Sequence, residues 1–178
     1  MRILLSPHDD DSTLFAAFTC IREKPIIIVV TDGYIQFNRG DIGCSKEIRA
    51  RETKESSEIL GCPVIRLGIR DDGLTEDNLR ERLSGISGVS CVCAPAIQGG
   101  NWQHDLVGKL AQEIWPDCIQ YTTYTKTELW TKGSTEIIPT KEELEIKEKA
   151  LWCYQSQINL PATRPHFEAV IGKSEFYL

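Results

Sequence analysis

The sequence of 178 residues holds three histidines, one methionine and no run of eighteen apolar residues. Without such a run no helix is expected to span a membrane. The N-terminus enters a strand-like segment after a single Arg, with no hydrophobic signal core or cleavage site, so a cytoplasmic location is expected. The seven cysteines (Cys20, Cys44, Cys62, Cys91, Cys93, Cys118 and Cys153) are odd in number and contain no CxxC pair, which argues for reduced thiols packed as small hydrophobes. Cys91 and Cys93 alternate within a strand-like run and share a face, but no second pair joins them as metal ligands. Lys and Arg are scattered, and the formal net charge is −6. The basic footprint of a nucleic-acid binder is missing. There is also no internal repeat, low-complexity tract or linker.

What is present is the composition of a soluble globular protein, 41% hydrophobic and 26% charged, long enough for one core in one domain over residues 1–178. Residues 2–5 and 25–30 are short apolar runs that read as buried strands, the second ending in the turn signal Thr31-Asp32-Gly33. Residues 12–21 between them carry apolar positions at helical density. A charged helix is expected over 45–60, stopped by Gly61, then a strand over 63–67 and a helix over 75–83. A strand over 89–94, a helix over 105–115, a strand over 118–123 and a helix over 142–154 follow, with an irregular excursion at 126–139. The stretch 162–178 also reads as irregular. The alternation predicts an α/β fold with a mostly parallel sheet and helices on both faces.

In such sheets ligands bind beyond the carboxyl ends of the strands. Pro7-His8-Asp9-Asp10-Asp11-Ser12 stands there, directly after the first strand. Three consecutive carboxylates repel one another, and their partial burial is costly unless a cation neutralises them. An imidazole with carboxylate oxygen suits zinc, and a hydrolytic zinc site takes three protein ligands and leaves one position to water. The third ligand must come from elsewhere, and His104, after the strand at 89–94, lies at the same edge as His8. Alternatively the loop is a solvated turn in which Asp11 or Ser12 caps a helix.

These residues resemble the PIG-L/LmbE-like N-acetylglucosaminyl deacetylases, whose first signature is a strand followed by (P/A)-H-P-D-D-E. Their second, H-P-D-H, is met by Asn101-Trp102-Gln103-His104 only in its last residue. Thr31-Asp32-Gly33, Arg49-x-x-Glu52 with Leu60-Gly61, and Lys149-Ala150 with Tyr154-x-Ser156-Gln157 extend the similarity in order along the chain. The resemblance implies a Rossmann-like three-layer αβα fold, Zn²⁺ held by His8, Asp11 and His104, and a small-molecule amino-sugar substrate. It implies Asp10 as general base and an arginine as oxyanion donor, Arg49 being the first choice and Arg51, two residues on, the alternative. His166 is a candidate for assisting the oxyanion or leaving group. Trp102, Trp130 and Asp32 are candidates for substrate contact, Trp130 being at least as well suited to core packing.

The departures are Asp9 for Pro, Ser12 for Glu, Asn101 for His and Gln103 for Asp. They leave the ligands and base but change the groups behind them. The expected reaction is zinc-dependent hydrolysis of the N-acyl amide of an amino sugar or its conjugate. The alternatives are a catalytically silent metal- or sugar-binding member and, less well supported, a nucleotide-binding α/β module, since no Gly-rich phosphate loop follows the first strand. At this length the loops around the pocket are expected to be short, and a homo-oligomer is a candidate to supply them from a neighbouring subunit.

Overall fold

The computed structural model describes residues 1–33 and 45–178; Cys44 lies outside them. Seven strands form one sheet in the order β3-β2-β1-β4-β5-β7-β6. They are β1 (Arg2–Ser6), β2 (Ile26–Thr31), β3 (Val64–Ile69), β4 (Cys91–Pro95), β5 (Ile119–Tyr121), β6 (Thr135–Ile137) and β7 (Glu175–Tyr177). The first five are parallel, and β7 joins β5 and β6 antiparallel. The helices of the described residues are α1 (Asp11–Phe15), α2 (Ala17–Glu23), α3 (Lys46–Leu60), α4 (Glu76–Ser84), α5 (Trp102–Ile114), α6 (Lys141–Leu151), α7 (Gln155–Ile158) and α8 (Arg164–Val170).

The period-2 alternation of the strands builds the layers. Along β1, Leu4 points into one apolar cluster, with residues of α1, α2, α6, α7 and α8. Ile3 and Leu5 point into the opposite cluster, with Leu79 and Leu83 of α4 and Val107, Leu110 and Ala111 of α5. The result is the three-layer αβα arrangement with a mostly parallel sheet. The chain builds β1, β2 and β3 in one direction and then returns to place β4 on the other side of β1, so a crevice opens between the loops after β1 and β4.

Several boundaries differ from the sequence reading. The helix expected over 12–21 is two helices broken at Ala16 (φ −142°, ψ 25°). The buried Glu175 carboxylate accepts the backbone N–H groups of Ala17 (2.8 Å) and Phe18 (3.0 Å), and Lys147 Nζ donates to Leu14 O (2.9 Å) and to Glu175 (2.8 Å). The break is therefore hydrogen-bonded across 158 residues of sequence. The excursion at 126–139 contains β6, and the stretch 162–178 contains α8 and β7. These strands of three residues extend the edge of an existing sheet, and so short a run carries little periodicity. The six described cysteines are free. No helix of the described residues is long and apolar enough to cross a membrane.

Candidate metal centre

The backbone of the loop after β1 is held by side-chain hydroxyls. Ser6 Oγ donates to His8 O (2.7 Å) and accepts from Ser12 N (3.0 Å), Thr31 Oγ1 donates to Pro7 O (2.9 Å), and Tyr154 OH donates to Asp9 O (2.8 Å). With the main chain held, the three carboxylates diverge. Asp9 is fully buried beneath the loop and accepts from Thr53 Oγ1 (2.7 Å), Arg49 Nε (3.3 Å) and both terminal nitrogens of Arg66. Burial alone would raise its pKa, but Arg49, Arg66 and Thr53 together lower it. Asp10 lines a cleft and accepts from Arg49 Nη2 (3.2 Å). Asp11, in the first turn of α1, turns towards the imidazoles.

His8 Nδ1 is 2.9 Å from Asp11 Oδ2, His104 Nε2 is 3.1 Å from the same oxygen, and the two nitrogens are 3.2 Å apart. Tetrahedral zinc with ligands at about 2.0–2.1 Å holds donor atoms roughly 3.3 Å apart, so this triangle needs to open by only a few tenths of an ångström. Two imidazole nitrogens and a carboxylate oxygen converging in a buried spot fit a divalent ion, and they are the one group of metal-type ligands brought together among the described residues. The electrostatics agree. Burial works against a charged His8, yet the charge and hydrogen bond of Asp11, with Gln103 and Asp10, outweigh it and raise its pKa from 6.5 to about 9. Burial likewise works against the Asp11 carboxylate, while His104 and His8 hold its pKa well below the usual range. The site favours positive charge between its ligands.

Loop and helix after β4 supply the other wall. Asn101 caps α5 by accepting from Gln103 N (2.8 Å), and Asp105 Oδ1 accepts from Gln98 N (2.9 Å) and Gly99 N (3.1 Å). Gly100 lies so close to Tyr124 that a Cβ there would stand 2.1 Å from the Tyr124 carbonyl oxygen. The cleft over the triangle has a volume of about 680 Å³, with Asp10, Arg49, Trp102, Tyr124 and His166 among its lining residues. His166 packs on the Tyr124 ring at 4.6 Å between centroids, and burial lowers its pKa from 6.5.

Most residues singled out in the sequence thus meet here. Arg49 rather than Arg51 is turned inwards, Arg51 being exposed. Asp32 is not among the cleft residues, although Gly33 beside it is; its backbone N–H donates to Ile69 O (3.0 Å). Trp130 packs edge-on against Phe176 and donates to Ser174 O (3.0 Å), a structural position. Sequence reasoning missed Asp71 and Tyr124, both in the cleft. Each lies within a few residues of the end of a strand, β3 and β5, the position that His8 holds after β1.

The fold and this centre define a three-layer α/β protein with an imidazole–carboxylate site at the switch point of its sheet. The chain belongs to the PIG-L family: the family profile described as GlcNAc-PI de-N-acetylase matches residues 3–115, more than half of its length. No curated protein sequence matches it.

Among solved structures, it is similar to the N,N'-diacetylchitobiose deacetylase from Pyrococcus horikoshii in complex with its inhibitor MPG. The identity is 20% and the TM-score 0.76, over 99% of this chain and 82% of that one. The 4-carboxy-2-hydroxymuconate hydratase GalB from Pseudomonas putida KT2440 aligns at 15% identity and a TM-score of 0.71, over 99% of this chain and 94% of that one. The zinc-inhibited form of teicoplanin deacetylase Orf2 aligns at 14% and 0.71, over 99% and 97%. At these identities the likeness is one of fold, and a hydratase among them requires that the reaction be argued from the site.

Proposed function

We propose that the protein hydrolyses the N-acyl amide, in the simplest case N-acetyl, of an amino sugar or its conjugate, using zinc held by His8, Asp11 and His104. The observation that carries this reading is the triangle of ligand atoms facing an open cleft. Family membership and the deacetylases among its structural relatives support the amide as the bond broken. Zinc bound there would polarise the acyl oxygen and lower the pKa of a water molecule from 15.7 to about 7.

The chain's own residues would do the rest. Asp10 is the general base: it takes the proton from the attacking water and returns it to the amine nitrogen, which must be protonated to leave. Arg49 bridges Asp9 and Asp10. Arg66 also pairs with Asp9, so that carboxylate does not depend on Arg49 alone, and the Arg49 guanidinium at the cleft is assigned to donate to the acyl oxygen as it becomes negative. His166 is assigned to assist that oxygen or the leaving group as a neutral imidazole. Trp102, 56% exposed beside the metal centre, offers an apolar face to a sugar ring, and Asp32 is assigned a contact at the rim through the turn it shares with Gly33.

The test is amine release from N-acetylglucosamine and its conjugates by zinc-loaded protein. Asp10→Asn is expected to keep the metal and lose about 10²–10⁴-fold in kcat. Stoichiometric zinc with no amine released from any acylated amino sugar would instead identify a silent metal- or sugar-binding member of the family.

A further inference from the structure

Gln103 stands where the family signature has Asp, and its two amide atoms are both engaged. Nε2 lies 3.1 Å from the carbonyl oxygen of Asp71, and Oε1 lies 2.6 Å from His8 Nε2. A carbonyl oxygen only accepts, so the amide must present its NH₂ to Asp71 and its oxygen to His8. The reverse orientation would set two acceptors against each other. Gln103 Oε1 can only accept in turn, so His8 Nε2 carries a hydrogen and donates it. In the neutral ring the lone pair is then on Nδ1, the atom that faces Asp11 Oδ2 and His104 Nε2.

The backbone contacts that place Gln103 are independent of the metal ligands: its own N–H is held by Asn101 Oδ1 at the start of α5, and Asp71 is buried in the 3₁₀ turn Asp71–Gly73 after β3. The other imidazole has no such partner. Among the described residues His104 Nδ1 is buried without a hydrogen-bond partner, and its ring packs edge to face with that of Tyr124 at 5.1 Å between centroids.

From this asymmetry we infer that Gln103 is a positioning residue that fixes the His8 tautomer through the Asp71 carbonyl and so directs His8 Nδ1, beside His104 Nε2, onto the metal. The inference rests on the metal centre proposed above. Replacing a carboxylate by an amide keeps the acceptor that orients the ring and adds a donor for Asp71 that a carboxylate lacks. Partners behind a metal-bound imidazole typically change metal affinity by about 10–100-fold when lost, and here one residue has that role for the only imidazole that is hydrogen-bonded in this way among the described ligands.

Zinc affinity of the full chain, measured by competition with a chromophoric chelator, tests the assignment. Gln103→Met keeps the volume and removes the acceptor; it is expected to weaken zinc about 10–100-fold, with unfolding of the metal-free protein monitored alongside. Gln103→Glu keeps an acceptor for His8 and is expected to lose less. Met binding zinc as tightly as wild type, or Glu binding more weakly than Met, would overturn the inference and leave Gln103 as packing.

A second measurement needs no variant. Long-range ¹H–¹⁵N correlation spectra of zinc-loaded wild type are expected to show metal on His8 Nδ1 and a proton on His8 Nε2, and metal on His8 Nε2 would contradict the assignment. Wild type that binds no zinc at all would remove the metal centre itself, an outcome distinct from either.

Discussion

His104 Nε2 lies 3.2 Å from His8 Nδ1, although 96 residues separate the two in sequence. The loop after β1 brings one and the start of α5, following β4, brings the other, so they meet only because β1 and β4 are neighbours at the point where the strand order reverses. Asp11 Oδ2 completes the group and also accepts the backbone N–H of His8 at 2.8 Å. The carboxylate is thus oriented from its own loop before any ion arrives.

Trp102 is expected to act on substrate affinity rather than on chemistry. It is mostly exposed at the mouth of the cleft, so Trp102→Ala should leave the unfolding midpoint unchanged. Steady-state kinetics on an acylated amino sugar should show KM rising several-fold with kcat nearly constant, the pattern of lost uniform binding. A fall in kcat with unchanged KM would show that the ring is not a substrate platform.

The buried pair Lys147–Glu175 fastens the end of the chain to the break between α1 and α2, and both side chains are 2% exposed. Removing one partner leaves the other charge buried and uncompensated. Glu175→Ala is expected to cost about 3–5 kcal/mol in urea unfolding, and adding Lys147→Met should recover part of that loss. A double variant less stable than Glu175→Ala would contradict this reading of the pair.

Acid sensitivity should arise in part at Glu143. Hydrogen bonding to Arg22 lowers its pKa from 4.5 to about 2 against a smaller opposing effect of burial, and the Thr140 cap adds to the lowering. A depressed carboxylate pKa means that the folded state prefers the ionised form, so the stabilisation is complete above about pH 4.5 and is lost as the pH falls towards 2. Thermal melts of wild type and Glu143→Gln should therefore differ by a constant amount above pH 4.5 and converge by pH 2. Curves separated equally across that window would show that Glu143 is not the titrating group.

Much of the fold was legible because its central strands are buried on both faces and read as uninterrupted apolar runs, as residues 26–30 do. The Gly61 stop is also visible in sequence, and Gly61 indeed adopts a left-handed conformation (φ 73°) at the end of α3. The C-terminal β7 was not legible: three residues, one of them the charged Glu175, acquire their meaning from contacts with α2 and α6 that lie far away in sequence. At the site, His8, Asp11 and His104 could be selected by residue type and position after a strand. The fate of Asp9 could not, because its partners Arg49, Thr53 and Arg66 come from a helix and a strand that only the fold brings beneath the loop. Similarly, Glu52 and the Tyr154-x-Ser156 segment looked like separate motifs. They are one contact, Ser156 N and Oγ donating to the two Glu52 oxygens at 2.7 and 2.6 Å.

Metal content tests the central claim most directly, because it depends on His8, Asp11 and His104 together and on no choice of substrate. Elemental mass spectrometry of purified wild type and His104→Ala is expected to show close to one zinc per chain in the wild type and its loss in the variant. Wild-type protein that holds no metal even after zinc is supplied would contradict the hydrolytic account and leave the family fold alone.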